Sequence, residues 1–163
     1  MKVGGSYVIP VEPGRAYTLL QDPDILARCM PGCEKLARIG EDEYEMKMKM
    51  VISSVQGLFA GKVRLTDQHP PDNFRLLVEG SGKVGFMKGE GLLALAAAEV
   101  AGDIAGTEVR YDGEVNVGGM MAGVGQRLLD VTAKLVIKKF FEKLVAAIAE
   151  RDAPASAEEI LEK

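Results

Sequence analysis

Residues 44 to 52 read YEMKMKMVI. Tyr44, Met46, Met48, Met50 and Ile52 alternate with Glu45, Lys47 and Lys49, and Glu43 precedes them in phase. This is the period of two that a strand shows when one face is buried and the other is wet. Working toward the C-terminus, the period recurs at 58–67, with Phe59, Gly61, Val63 and Leu65 inward, and at 74–80, with Phe74, Leu76 and Val78 inward. It returns at 86–99 and at 107–117, where Val109, Tyr111, Val115 and Val117 oppose Glu108, Arg110, Asp112 and Glu114. HPPDN at 69–73 is a Pro-rich reverse turn, and GSGKVG at 80–85 supplies glycine where positive φ is needed. Connections this short make hairpins, so the sheet is antiparallel.

Toward the N-terminus the period lengthens to about 3.6, the helical value. Two short helices precede the sheet, one with Pro13 early and Ala16, Leu19 and Leu20 apolar, the other with Asp22 as N-cap and Pro23 as first residue. The second stops in CMPGCE, residues 29–34, which leads into the second strand. Residues 2–10 form a first strand ending at Pro10. After Gly118 and Gly119 one long helix is expected to about residue 150, with Leu129, Ala133, Val136, Phe140, Leu144 and Ala147 on its apolar face. The fold class is α+β: a curved antiparallel sheet of about seven strands around a long C-terminal helix, with two short helices between strands 1 and 2. Residues 1–150 form one domain, and 151–163 are expected to be a short flexible tail. A single sheet curled around one helix tends to leave a cavity between them.

At 163 residues the chain is long enough for a sizeable core. A net charge of −4 provides no basic field to hold a polyanion, so nucleic acid is not an expected partner. The N-terminus lacks a signal-peptide run and no stretch approaches a spanning helix, so a cytoplasmic location is expected, with any membrane contact peripheral, at the inner face.

Sequence candidates for chemistry are weak. GSGKVG matches G-x-G-x-x-G, but a phosphate loop needs a helix N-terminus directly after it, and here strand follows. His69 is the only histidine and sits in a turn. Glu41, Asp42, Glu43 and Glu45 lie in a turn and on a solvent face. The two cysteines of CMPGCE are separated by three residues at a helix end, where a redox pair wants two at a helix start, and zinc would want four ligands. The motif is better explained as a helix stop on the rim of the cavity. No metal and no covalently bound cofactor are expected.

The methionine stripe has two readings, an ordinary core and an adaptable cavity wall, since Met suits irregular apolar surfaces. Candidate wall residues are Met46, Met48, Met50, Val63, Leu65, Leu76, Tyr111 and Leu128. In a meander every second turn lies at one end of the sheet, which gathers the turns at 53–58 and 80–85 with the start of the last helix. Phe59, Phe86, Met120, Met121 and Val124 at that end would build a glycine-flanked mouth, or else fold inward as a plug. Arg127, Lys134, Lys138, Lys139 and Lys143 make the last helix basic, which suits an interfacial helix or a solvated face on a core helix.

The run L-x-D-P-x-x-L-x-x-C-x-P-G-C-E at Leu20 to Glu34, with LFAGKVRL, GSGKVGFMKGEG and GGMMAGVGQRLLD leading into KKFFEKL, resembles the carbon monoxide dehydrogenase CoxG family over about residues 1–150. That resemblance implies a helix-grip fold of the START-like SRPBCC superfamily. It implies an accessory protein, not an enzyme, associated with a molybdenum-containing oxidoreductase such as carbon monoxide dehydrogenase. It also implies help in coupling that enzyme to the membrane and a hydrophobic ligand, a respiratory quinone or a lipid, in the cavity. Two alternatives remain open: a cyclase or hydrolase using the same cavity, which would need polar groups pointing inward, and a purely structural adaptor for an oxidoreductase.

Overall fold

The computed structural model describes residues 1–152 apart from 101 and 103. The expected tail therefore lies, from 153 onward, outside the described residues. Strand β1 (Lys2–Ile9) leads to helices α1 (Pro13–Leu19) and α2 (Pro23–Cys29). Strands β2 (Cys33–Gly40), β3 (Glu43–Ile52), β4 (Val55–His69), β5 (Asn73–Gly82), β6 (Gly85–Val100) and β7 (Ile104–Gly118) follow. A six-residue 3-10 segment, Gly119–Val124, then precedes helix α3 (Gln126–Asp152). The seven strands form one curved antiparallel sheet in the order β1-β7-β6-β5-β4-β3-β2, so β2 to β7 are a meander and β1 returns to pair with β7.

Local chemistry sets the short helices. The Asp22 carboxylate accepts from the backbone N–H of Asp24 at 2.9 Å and of Ile25 at 3.4 Å, and Pro23 occupies the first turn. CMPGCE ends α2 through Gly32, whose φ of +79° favours glycine. A side chain there would run into the Lys49 carbonyl, and the Gly32 carbonyl itself accepts from the Lys49 N–H at 2.8 Å. The stop is thus a clamp of the α2 exit onto β3.

One expectation is corrected. The long helix does not begin directly after Gly118 and Gly119; the tighter segment intervenes because Gly119 (φ +76°) and Gly125 (φ +96°) hold conformations foreign to an α-helix. Strand β2 shows no clean alternation, with Leu36 half-buried and Ile39 exposed, because bulges interrupt its pairing with β3 at both ends.

The inward faces bury two separate clusters. The larger gathers Ile9, Ile25, Tyr44, Phe74, Leu144 and Ile148 where α1, α2 and the second half of α3 meet the sheet. The smaller joins Ile52, Phe59, Val84, Met121 and Leu129 at the other end, beside the β3–β4 and β5–β6 turns. Between them the middle of α3 stands over the sheet with Ala133 and Val136 only half-buried.

Gly32→Ala is expected to lower stability by at least about 1–2 kcal/mol, the left-handed penalty for a residue with a Cβ, before the clash with Lys49 is added. Gly14→Ala, in α1 with open space around it, is expected to raise stability by up to about 1 kcal/mol. Urea unfolding of both variants checks this, and a Gly32→Ala midpoint equal to wild type would refute the clamp.

Candidate ligand cavity

A cavity of about 350 Å³ lies between the two clusters, under the middle of α3. Its wall is built by strand parity. Met46 and Met48 of β3, Val63 and Leu65 of β4, Leu76 of β5 and Tyr111 of β7 all face it, six of the residues expected from the sequence. Val136, Ile137 and Phe140 of α3 form the roof, and Leu26 of α2, its C-cap Met30, and Cys33 and Leu36 of β2 flank it. Met30 and Cys33 place CMPGCE on the cavity wall, while Cys29 is buried in the larger cluster.

The remaining expected residues do not line the cavity. Phe59 and Met121, each 1% exposed, form a stopper with Val84, and the Met121 N–H donates to the Val84 carbonyl at 2.9 Å. That end is a plug, not a mouth. Met50, Val124 and Leu128 pack half-buried against the stopper. Phe86 and Met120 point outward, 54% and 61% exposed. For Phe86 the reason is register: β6 sends its odd-numbered residues inward, so Met87 reaches the cavity and the Phe86 ring lies over Gly118 on the other face.

Sequence reasoning missed the floor. Gly89 and Gly91 of β6 and Gly113 of β7 occupy inward positions under the roof, so backbone alone bounds the cavity there. The signal was available as K-G-E-G-L, two glycines two residues apart in a strand, which leaves one face bare.

Polar groups at the wall are few. The Tyr44 hydroxyl donates to the Gln21 carbonyl at 2.7 Å and lies 3.0 Å from the Arg38 guanidinium, which donates to it. The Gln21 amide donates to Gln68 Oε1 at 2.8 Å, so both groups serve the structure. The Tyr111 hydroxyl makes no hydrogen bond among the described residues, and burial followed by proximity to Tyr7 raises its pKa. Glu90 and Asp112 meet the cavity through backbone, since strand parity sends their side chains outward. His69 is exposed at the end of β4, away from the cavity. Lys83 lies in the tight β5–β6 turn with strand on both sides, so the GSGKVG segment is a hairpin. Glu43 and Glu45 pair with Lys62 and Lys35 on the outer face. Among the described residues, no group of three or more His, Cys, Asp or Glu gathers as a metal site would, and no helix is long and apolar enough to cross a membrane.

With this geometry in place, comparison with known proteins is specific. A family model described as the CoxG subunit of carbon monoxide dehydrogenase matches residues 5–149. The crystal structure of a conserved protein from Geobacillus kaustophilus is 35% identical, covers 92% of this chain and 96% of its own, and superposes with a TM-score of 0.83. A START superfamily protein from Mycobacterium smegmatis (11% identical, 91% and 97% covered, TM-score 0.62) shares the fold. So does the Zhui aromatase/cyclase from Streptomyces sp. R1128 (12% identical, 96% and 97% covered, TM-score 0.61). Both likenesses show the START-like helix-grip fold alone. A comparison with curated proteins finds no significant match.

Burial raises the pKa of both thiols above the ordinary 9.0, with Arg28 and Lys143 partly opposing it at Cys29 and the Lys35 backbone at Cys33. The reactive thiolate is therefore scarce at neutral pH and becomes the major form only above pH 9. With a disulfide reagent at pH 7, the native protein is expected to react slowly at Cys33 and at Cys29 only after unfolding. Rapid native reaction of both thiols would contradict this placement.

Proposed function

The chain belongs to the carbon monoxide dehydrogenase CoxG family, and from that premise we propose that it is a non-catalytic accessory protein whose cavity holds a hydrophobic ligand. The observation that carries the reading is the composition of the wall: aliphatic side chains, methionines and aromatics, with Glu90 and Asp112, its charged residues, sending their side chains outward by strand parity. An acid–base catalyst needs a positioned titratable group beside its substrate. Here His69 lies elsewhere, Tyr44 and Gln21 are engaged in tying α1 and α2 to the sheet, and burial raises the pKa of Tyr111 and Cys33, so neither offers a base at neutral pH. Shape and chemistry favour an apolar molecule of the quinone or lipid class, and the methionines give its binding surface latitude.

The family assignment adds a molybdenum-containing oxidoreductase of the carbon monoxide dehydrogenase type as partner, with the protein coupling that enzyme to the membrane. The surface supports a peripheral contact at the stoppered end. Leu58, Phe86 and Met120 are 50%, 54% and 61% exposed there, and the exposed Lys49 stands directly opposite Leu58 in the β3–β4 pair. Apolar tips beside lysines suit the headgroup region of an anionic bilayer.

Native mass spectrometry after incubation with a membrane lipid extract tests the ligand: an apolar adduct that dissociates on collisional activation is expected, and none under any condition sinks the reading. Flotation with vesicles of phosphatidylcholine and phosphatidylglycerol tests the contact. The wild-type chain is expected to float at low salt, and Phe86→Glu with Met120→Glu to stay at the bottom. Equal behaviour of the two proteins would remove this end as the contact.

A further inference from the structure

The glycines of the concave face are glycines for different reasons, and one lacks the usual reasons. A side chain at Gly61 would run into the Glu79 carbonyl, and at Gly113 it would stand 2.6 Å from the Glu90 carbonyl oxygen. At Gly80 it would meet the Phe59 ring at 2.9 Å. At these positions the Cβ itself would collide with a neighbouring atom. Gly91 differs: an added Cβ would find the Asp112 carbonyl oxygen at 3.5 Å and Gly113 Cα at 3.8 Å, ordinary contact distances. Nor is Gly91 among the residues of positive φ. Glycine inside a central strand weakens the strand, by both backbone entropy and lost packing. The space that a Gly91 side chain would enter is the cavity.

The inward rows of the sheet show what this leaves. One row runs Leu65, Leu76, Gly91, Gly113, Val3, and the next runs Val63, Val78, Gly89, Val115. Gly89, Gly91 and Gly113 are thus contiguous. Two residues along a strand advance about 6.6–6.8 Å, and directly opposed residues on paired strands lie about 4.5–5.5 Å apart. The bare backbone has the footprint of a ring or a small fused pair of rings. Leu76 and Val78 border it along β5, Tyr111 lies beyond Gly113 along β7, and Ile137 and Phe140 of α3 line the same cavity.

We infer that Gly91 is a specificity-determining residue: its missing side chain keeps open a flat patch of β6–β7 backbone on which the ring of a planar apolar ligand lies. This rests on the proposed ligand-binding role of the cavity and gives the ligand a shape. A planar ring meets a side-chain-free backbone over its whole face, whereas a single aliphatic chain meets it along a line and leaves part of the patch without contacts, forfeiting dispersion. Branched side chains on either border hold the ring in place from the edges.

The test uses two neutral probes, 2,3-dimethyl-1,4-naphthoquinone, whose blocked ring positions avoid thiol addition, and 1-dodecanol. Each is titrated calorimetrically into the wild-type chain, Gly91→Ala and Gly91→Leu, with circular dichroism as the check on folding. Wild type is expected to bind the naphthoquinone, with affinity about tenfold weaker in Gly91→Ala and at least about a hundredfold weaker in Gly91→Leu, as overpacking of a fitted site predicts. Dodecanol binding is expected to stay within about threefold, because a flexible chain can take another path through the cavity. If Gly91→Leu does not fold, the ratio of the two probes in Gly91→Ala decides alone. Unchanged naphthoquinone binding, or equal losses for both probes, overturns the inference while leaving the cavity a binding site. Wild type binding dodecanol but not the naphthoquinone does the same. Binding of neither probe to wild type overturns this inference together with the proposed function it rests on.

Discussion

Helix α3 meets the sheet firmly at two separated places, and the rest of the structure depends on that spacing. Its second half packs Phe140, Phe141, Leu144 and Ile148 into the larger cluster, and its first half packs Leu129 against the stopper of Phe59, Val84 and Met121. At 27 residues the helix is about 40 Å long, more than either cluster can cover. The middle is therefore suspended over a curved surface. A cavity there is a consequence of geometry, because the residues beneath the helix cannot close the gap when three of them are glycine.

The larger cluster is also where the chain secures its two short helices. The Thr107 hydroxyl, fully buried, donates to the Val11 carbonyl at 2.7 Å and ties β7 to the entry of α1. The Tyr17 hydroxyl lies 2.8 Å from Gln68 Oε1 and 3.1 Å from the Asn73 carbonyl, and Gln68 in turn donates to Asp42 at 2.7 Å. Bonds of this kind contribute about 1 kcal/mol each, and losing one buried partner costs more than the bond is worth. The exposed ion pairs, such as Arg28 with Glu150 and Lys138 with Glu142, contribute little. One end of the sheet is thus fixed by polar bonds as well as packing. The other end closes with apolar side chains on a glycine-flanked 3-10 segment.

This asymmetry bears on how a ligand would be held. The polar end contributes orientation of α1 and α2, from which Leu26 and the C-cap residues Leu20 and Met30 reach the wall. The glycine floor contributes room, and Met46, Met48 and Met87 contribute a surface that can adjust to what enters. The cysteines follow the same division. Cys29 is a small buried apolar group, and Cys33 begins β2 at the cavity edge, where burial keeps its thiol protonated at neutral pH.

The strands were legible because alternation in YEMKMKMVI and its successors is imposed by the backbone itself, and the helix caps because Asp22, Pro23 and Gly32 have local stereochemical reasons to be there. From those periods the antiparallel order and the inward face of β3, β4 and β5 followed, and with them Met46, Met48, Val63, Leu65 and Leu76 on the wall. Which inward residues face a cavity and which fill a plug is not a property of any strand. Met48 and Phe59 are direct cross-strand partners with the same parity, yet Met48 reaches the cavity while Phe59 is sealed under Met121. That difference arises where α3 touches the sheet, a contact between residues far apart in the chain. The same holds for Gly91: periodicity places it inward, but only the absence of atoms above it, set by the height and position of α3, turns a missing side chain into space.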